Sequence, residues 1–233
     1  MSGPHTAQSL PRVIVVADGE IATRRALDAA WPGWDAGADW VVAADAGAMA
    51  ALALGLRPDL VIGDLDSIAP GDLERVRALG IPVEARPADK DESDTELALS
   101  AALDRDPAAV IVLGALGGWR IDHALANVWL LALPAAEGRE VVILDARCRM
   151  RLLSGPGRTE LQGPSADLVT LLPFDGPAQG VTTEGLAYPL RNESLRAGPS
   201  RGLSNVRAER EAVITLRAGR LLIIETHPEG ASP

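Results

Sequence analysis

The chain is poor in several residue types that would otherwise assign it to a class. It has one cysteine, Cys148, in 233 residues, which excludes an internal disulfide and any cysteine-based metal site. One phenylalanine, one tyrosine and five tryptophans leave aromatics at 3%, so a core must be built from Ala, Leu, Val and Ile. Lys90 is the single lysine, and 22 basic side chains against 32 acidic ones give a formal charge of −10. That balance argues against non-specific binding to nucleic acid or anionic membranes. No apolar run approaches the roughly 20 residues of a membrane span. The start, residues 1–11, carries His5 and no basic-then-apolar leader, so a flexible N-terminus and a cytoplasmic location are expected.

What is present fits a soluble globular protein, with 47% hydrophobic and 23% charged residues. The acid is unevenly spread. Residues 1–150 hold 13 basic and 23 acidic side chains, whereas residues 151–233 hold 9 of each. The texture changes at the same place, from β-branched runs alternating with Ala/Leu-rich stretches to short apolar runs among Gly, Pro and Thr. Two domains are predicted, at 12–149 and 150–233.

In the first domain, near-continuous apolar runs at Arg12–Ala17, Trp40–Ala44, Leu60–Gly63, Val110–Gly114 and Glu140–Asp145 read as strands buried on both faces. Helical stretches at Ile21–Ala30, Gly47–Leu54, Gly71–Leu79, Ser93–Asp104 and His123–Leu133 lie between them, and Ser93 with Glu96 forms a capping box. This alternation predicts a doubly wound α/β domain with a mostly parallel sheet. In the second domain, strands are predicted at Asp167–Leu172, Gln179–Thr183, Ala212–Leu216 and Leu221–Thr226, punctuated by Asp175-Gly176, Glu184-Gly185, Ala197-Gly198 and Ala218-Gly219. An antiparallel all-β sandwich or barrel is the natural reading.

Four stretches carry chemistry. Gly63-Asp64-Leu65-Asp66-Ser67 follows the run Leu60-Val61-Ile62, so its two carboxylates sit at a strand's carboxyl end, where open α/β sheets bind ligands. Paired hard oxygen ligands suit Mg²⁺ with phosphate; a solvated acidic turn is the bland alternative. Lys90-Asp91-Glu92-Ser93-Asp94-Thr95-Glu96 places Asp94 in the first turn of the capped helix and a lone lysine before it. Asp94 there is either a dipole-favourable acid or part of a phosphate site. Gly114-Ala115-Leu116-Gly117-Gly118-Trp119-Arg120-Ile121-Asp122-His123 follows a strand and opens a helix. Its glycines permit close backbone approach. Arg120 can fork onto phosphate with Asp122 holding it, and His123 is either a proton carrier or a satisfied histidine. The spacing is neither a P-loop nor GxGxxG. Gly185-Leu186-Ala187-Tyr188-Pro189-Leu190 and Gly202-Leu203-Ser204-Asn205 are turns of the β domain, or donors and acceptors for a heteroaromatic ring.

Together with Asp45-Ala46-Gly47-Ala48 and Asn127, and in this order, these motifs resemble the thiamine pyrophosphokinase family over about residues 45–222. The resemblance implies an N-terminal α/β domain, a C-terminal β-sandwich and a homodimer with the active site at the subunit interface. It implies Mg²⁺-dependent transfer of a diphosphoryl group from ATP to the hydroxyl of thiamine, releasing AMP. Carried over by position, Asp64, Asp66 and Asp94 hold Mg²⁺ and the triphosphate. Asp45, Lys90, Asp91, Arg120, Asp122 and His123 line the nucleotide and phosphate side, and Ser204 and Asn205 lie at the thiamine end. The chain departs from the family's pattern in three places: Ser93 replaces a usual Thr, Trp119 lengthens the step between Gly118 and Arg120, and no tryptophan follows Asn205 to stack on thiamine. The DxD pattern also suits nucleotidyl or sugar-nucleotide transfer, or a binding homologue without turnover.

Overall fold

A computed structural model of the chain describes residues 11–227. The expected flexible segment 1–11 lies, apart from Pro11, outside the described residues. The elements run β1 (Arg12–Val16), α1 (Arg24–Ala30), β2 (Ala38–Ala44), α2 (Gly47–Ala53), β3 (Leu60–Gly63), α3 (Pro70–Ala78), β4 (Val83–Ala85), α4 (Asp94–Leu103), β5 (Ala109–Leu113), α5 (Ile121–Trp129) and β6 (Glu140–Leu144). Then follow β7 (Cys148–Ser154), β8 (Gly157–Gln162), β9 (Leu168–Glu184), β10 (Glu193–Leu195), β11 (Asn205–Val206), β12 (Glu211–Leu216) and β13 (Ala218–Thr226). The chain forms two compact units: residues up to 25 with 33–141, and 26–32 with residues from 142 onward. No helix among the described residues is long and apolar enough to cross a membrane.

In the first unit the strand order is β4-β3-β2-β1-β5, with every pairing parallel. The chain leaves β1 in one direction, builds out to β4, then returns across the sheet to β5 on the far side of β1. That reversal makes β1/β5 a topological switch point, and open α/β sheets bind ligands outside the strands' carboxyl ends at such points. Burial explains the apolar runs: Val13 to Val16 and Val110 to Leu113 are at most 7% exposed. Helix α4 makes the long return and packs on β1, β2 and β3. Its start is set by Ser93, whose hydroxyl accepts from the Glu96 amide at 3.1 Å. β4 is three residues long and half exposed, too short to leave a periodic signal.

The second unit is antiparallel, ordered β6-β7-β13-β9-β12-β8. β9 serves two layers. Leu168–Phe174 pairs with β13, while Thr182–Glu184 pairs with β12. Asp175-Gly176 is therefore not the chain reversal its residue types suggest. Ala218 pairs with Gln179 and Arg220 with Phe174, so the residues between bulge out of one continuous 17-residue strand. The two layers bury Leu161, Val169, Leu171, Val181, Ile214, Leu216, Leu221 and Ile223 between them. β7 escapes sequence recognition because none of its residues is fully buried, and β8 because Leu161 is the single apolar residue on its inward side.

Residues 26–32 belong with this unit through the end of α1. The Trp31 indole donates to the Asp145 carbonyl at 2.8 Å, the Arg149 guanidinium lies 4.8 Å from its ring, and the His227 ring lies 4.3 Å away. Glu225 continues the inward stripe of Leu221 and Ile223, which puts a carboxylate 1% exposed at the end of the core. It accepts from Arg149 at 2.8 and 2.9 Å, from Arg151 at 3.3 Å and from the fully buried Arg207 at 2.6 Å. One buried anion thus holds three guanidiniums. Glu225→Gln should lower unfolding free energy by about 3–5 kcal/mol, because it leaves buried cations without a counter-ion. Urea denaturation checks this, and a loss below about 1 kcal/mol would show that the arginines are hydrated instead.

Candidate active site

The functional side chains of the first unit stand at the carboxyl ends of its strands. β2 ends at Ala44, and Asp45 follows with φ 43°, a left-handed conformation that aspartate tolerates. β3 ends at Gly63, and Asp64, Leu65 and Asp66 follow. A Cβ on Gly63 would lie 1.9 Å from Asp45 Oδ1 and 3.1 Å from Asp94 Oδ1. Glycine is required there because two carboxylates converge on its Cα. Leu65, itself at φ 65°, turns its amide back to donate to Asp45 Oδ1 at 3.1 Å. The Ser67 hydroxyl donates to Asp45 Oδ2 at 3.2 Å, and the Asp66 amide donates to Asp64 Oδ1 at 3.2 Å. The Gly63–Ser67 motif is a backbone cradle that, with Asp45, brings three carboxylates together.

Asp45, Asp64 and Asp66 each bring a carboxylate oxygen within 4.8 Å of the others, the one group of metal-ligand spacing among the described residues. Asp94, in the first turn of α4, stands beside it. Lys90 Nζ lies 3.2 Å from Asp64 Oδ2 and 3.1 Å from Asp94 Oδ1, with the lysine side chain only 11% exposed. Asp45 thus sits among the carboxylates. Asp91 is exposed at the mouth of the same segment.

The electrostatics record the crowding. Burial first, and then the charge of Asp94, push the Asp45 carboxyl up to about 6, against the hydrogen bonds from Leu65 and Ser67. The charge of Asp64 raises Asp66. Asp64 itself is held below the usual carboxylate range, chiefly by the Asp66 amide and then by Lys90. Asp18, just past β1, is raised by partial desolvation and by the charges of Asp66 and Asp94, against a hydrogen bond from Ser67. Sequence reading missed Asp18 because Asp18-Gly19-Glu20 reads as a plain turn. The available signal was an acid at the end of the first strand, beside the switch point.

The glycine-rich loop after β5 packs against that same turn. A Cβ on Gly19 would meet the Gly114 carbonyl oxygen at 2.2 Å, and one on Gly117 would meet that of Glu20 at 2.1 Å. These glycines let two strand-end loops lie backbone against backbone across the switch point. Beyond them, Arg120 forks onto Asp122 at 2.9 and 2.6 Å, which holds the Asp122 carboxyl far below its ordinary range. Trp119 is 89% exposed, with the Arg120 guanidinium 5.4 Å from its ring, and His123 is exposed in the first turn of α5. Asn127 donates to the Ala115 carbonyl at 2.9 Å and ties α5 to the loop.

In the second unit Ser204 is exposed at φ 54°, and its amide donates to Thr170 Oγ1 at 3.0 Å. Asn205 is 4% exposed and its side-chain amide is already engaged. Its Oδ1 accepts from the Tyr188 amide at 3.0 Å, and its Nδ2 donates to the Tyr188 carbonyl at 2.7 Å. It pins the Gly185–Leu190 segment and leaves the Tyr188 ring 62% exposed.

The raised Asp45 carboxyl fixes a pH signature. A folded-state value near 6 against an ordinary 3.8 means that ionisation of Asp45 destabilises the cation-free fold above about pH 6, a cost that vanishes as pH falls toward 3.8. Asp45→Asn keeps an acceptor for the Leu65 amide and tolerates the left-handed φ. It should therefore raise stability at pH 8, by at most on the order of 3 kcal/mol, and by progressively less below pH 6. Thermal melts across that range with chelator present check both the sign and the pH trend.

The comparisons with known proteins agree with this geometry. A family model described as thiamin pyrophosphokinase, catalytic domain, matches residues 34–143, and one described as thiamin pyrophosphokinase, vitamin B1 binding domain, matches residues 159–221. The chain is 26% identical over 186 residues to thiamine pyrophosphokinase of Bacillus subtilis, covering 79% of this chain and 86% of the relative. It is 31% identical over 174 residues to thiamine pyrophosphokinase 2 of Arabidopsis thaliana, covering 70% of this chain but 62% of that longer protein. The crystal structure of a thiamin pyrophosphokinase family protein from Enterococcus faecalis superposes with a TM-score of 0.77 at 28% identity, covering 94% of this chain and all of the other. Both models match in chain order, one on the unit that carries the carboxylates and one on the β unit, and the chain belongs to the thiamine pyrophosphokinase family.

Proposed function

We propose that this protein transfers the diphosphoryl group of ATP to the hydroxyl of thiamine, giving thiamine diphosphate and AMP. The observation that carries the reading is the convergence of Asp45, Asp64 and Asp66 beside Asp94 and Lys90 at a sheet's carboxyl end, in a chain of this family. In the reaction the thiamine oxygen bonds to the β-phosphorus. The bridging oxygen between the α- and β-phosphorus leaves with AMP, and the hydroxyl proton is released. Such a transfer asks the protein for position and charge more than for covalent chemistry.

The donor set suits Mg²⁺. It is all hard oxygen, and a bound cation would offset both the repulsion from Asp64 that raises Asp66 and the burial, with the charge of Asp94, that raises Asp45. Asp45, Asp64 and Asp66, which have ligand spacing, would hold the ion together with Asp94 beside them. When bound, it offsets charge on the polyphosphate. Lys90, Arg120, Asp122 and His123, with Asp91 at the mouth, face the nucleotide in this reading. The division into a nucleotide domain at 12–149 and a thiamine domain at 150–233 belongs to the same proposal. Ser204 would supply contacts to thiamine, and Asn205 would act on it through Tyr188.

A homodimer fits one surface feature. Ile121, Leu125 and Trp129 lie four residues apart along α5 and are 71%, 54% and 59% exposed, next to the fully presented Trp119. An apolar stripe of that size on one helix is suited to a second copy of the chain.

Three outcomes check the proposal. With purified protein, ATP, Mg²⁺ and thiamine, chromatography should resolve AMP and not ADP; pyrophosphate release would instead favour nucleotidyl transfer. Asp66→Asn should lower turnover by about 10²-fold or more while the metal-free melting temperature stays level or rises, since a repelled charge is removed. Unimpaired turnover in that variant would remove the metal assignment. Leu125→Asp should convert a dimer to monomer in sedimentation, and an unchanged dimer would place the interface elsewhere.

A further inference from the structure

The chain carries 22 basic residues, of which 21 are arginine, and its one lysine lies inside the acidic cluster. That position calls for a reason. Lys90 Nζ contacts Asp64 Oδ2 and Asp94 Oδ1, one from the β3 loop and one from the start of α4. It thereby bridges the two chain segments that build the site. Five carboxylates, those of Asp18, Asp45, Asp64, Asp66 and Asp94, interact there, and Lys90 touches two of them, Asp64 and Asp94. Its backbone lies in the irregular segment between β4 and α4, where no strand or helix constrains the stem. An arginine at this point would clamp a carboxylate with a planar two-bond fork. An ammonium is a compact point charge on a flexible chain and lets go more readily.

We propose that Lys90 is a displaceable counter-ion: it occupies Asp64 and Asp94 in the cation-free protein, gives them up when a divalent cation takes the cluster, and then turns to the nucleotide's phosphates. The oxygens it holds are ones the cation needs, so the two compete. The same exchange frees the ammonium once the cation is in place, ready for the phosphates, which couples loading of the metal to capture of the nucleotide. The inference rests on the reading that the cluster takes a divalent cation.

Because Lys90 is the only lysine, its side chain can be followed without labelling ambiguity. The full-length protein is treated briefly with acetic anhydride, and acetylation of the Lys90 peptide is read by mass spectrometry. This is done in chelator, in Mg²⁺, and in Mg²⁺ with a non-hydrolysable ATP analogue, with Mg²⁺ binding followed in parallel by calorimetry. The expected pattern is slow acetylation in chelator, about threefold to tenfold faster acetylation with Mg²⁺ alone, and protection restored by the analogue. Lys90→Gln should bind Mg²⁺ more tightly in the absence of nucleotide yet bind the analogue more weakly, and Lys90→Arg should bind Mg²⁺ more weakly than the parent. Calorimetric Mg²⁺ binding with unaccelerated acetylation, or with no gain of affinity in Lys90→Gln, would overturn the exchange and leave the metal reading standing. Absence of Mg²⁺ binding would overturn both.

Discussion

Repulsion among carboxylates gathered over Gly63 is the constraint on which the rest of the first unit depends. Asp45, Asp64, Asp66, Asp94 and Asp18 come from four different strand ends or helix starts, and no fold assembles them without compensation. The compensations are visible one by one. Gly63 has no side chain, so Asp45 and Asp94 can approach. Asp45 and Leu65 adopt left-handed backbone angles that bring an amide onto the carboxylate. The Asp94 carboxylate rests in the first turn of α4, where the helix dipole favours an anion. Helix α4 in turn lies across β1, β2 and β3, and this fixes where Asp94 falls. What these devices leave uncancelled is negative charge, and it is this residue of charge that the proposed cation would neutralise.

The β unit meets the opposite problem with the opposite outcome. Glu225 is a single anion at the end of an apolar stripe, and Arg149, Arg151 and Arg207 surround it. Every oxygen of that carboxylate is used, and Arg207 also donates to the Leu161 carbonyl at 2.6 Å. A charge cluster closed on itself fixes the packing of strands. A cluster left open, as around Gly63, costs stability in the cation-free fold, the trade expected of a binding site.

Much of this was legible in the chain. The parallel strands of the first unit could be read because burial on both faces leaves uninterrupted apolar runs such as Val13 to Val16 and Leu60 to Ile62. The placement of Asp64 and Asp66 at a strand's carboxyl end could be read because they follow the apolar run Leu60-Val61-Ile62. The 17-residue β9 could not, since Pro173, Asp175, Gly176 and Pro177 in its middle are turn formers that tertiary pairing overrides as a bulge. β7 was hidden by charges whose partners lie far along the chain, as Arg149 and Arg151 do from Glu225. Asn205 looked like a ligand-facing amide, yet its donors and acceptors go to the backbone of Tyr188, a pairing that no local pattern encodes. Asp18 and Gly19 were passed over because their importance arises only when the loop after β5 is laid against them.

The central claim is that the carboxylates over Gly63 form a cation site. Anomalous diffraction from crystals grown with Mn²⁺ in place of Mg²⁺ tests it most directly. The account predicts a strong peak among the carboxylate oxygens of Asp45, Asp64 and Asp66, at about 2.0–2.3 Å from its ligands, with Lys90 turned away from Asp64. An empty cluster at saturating Mn²⁺, with the ammonium still seated between Asp64 and Asp94, would contradict it.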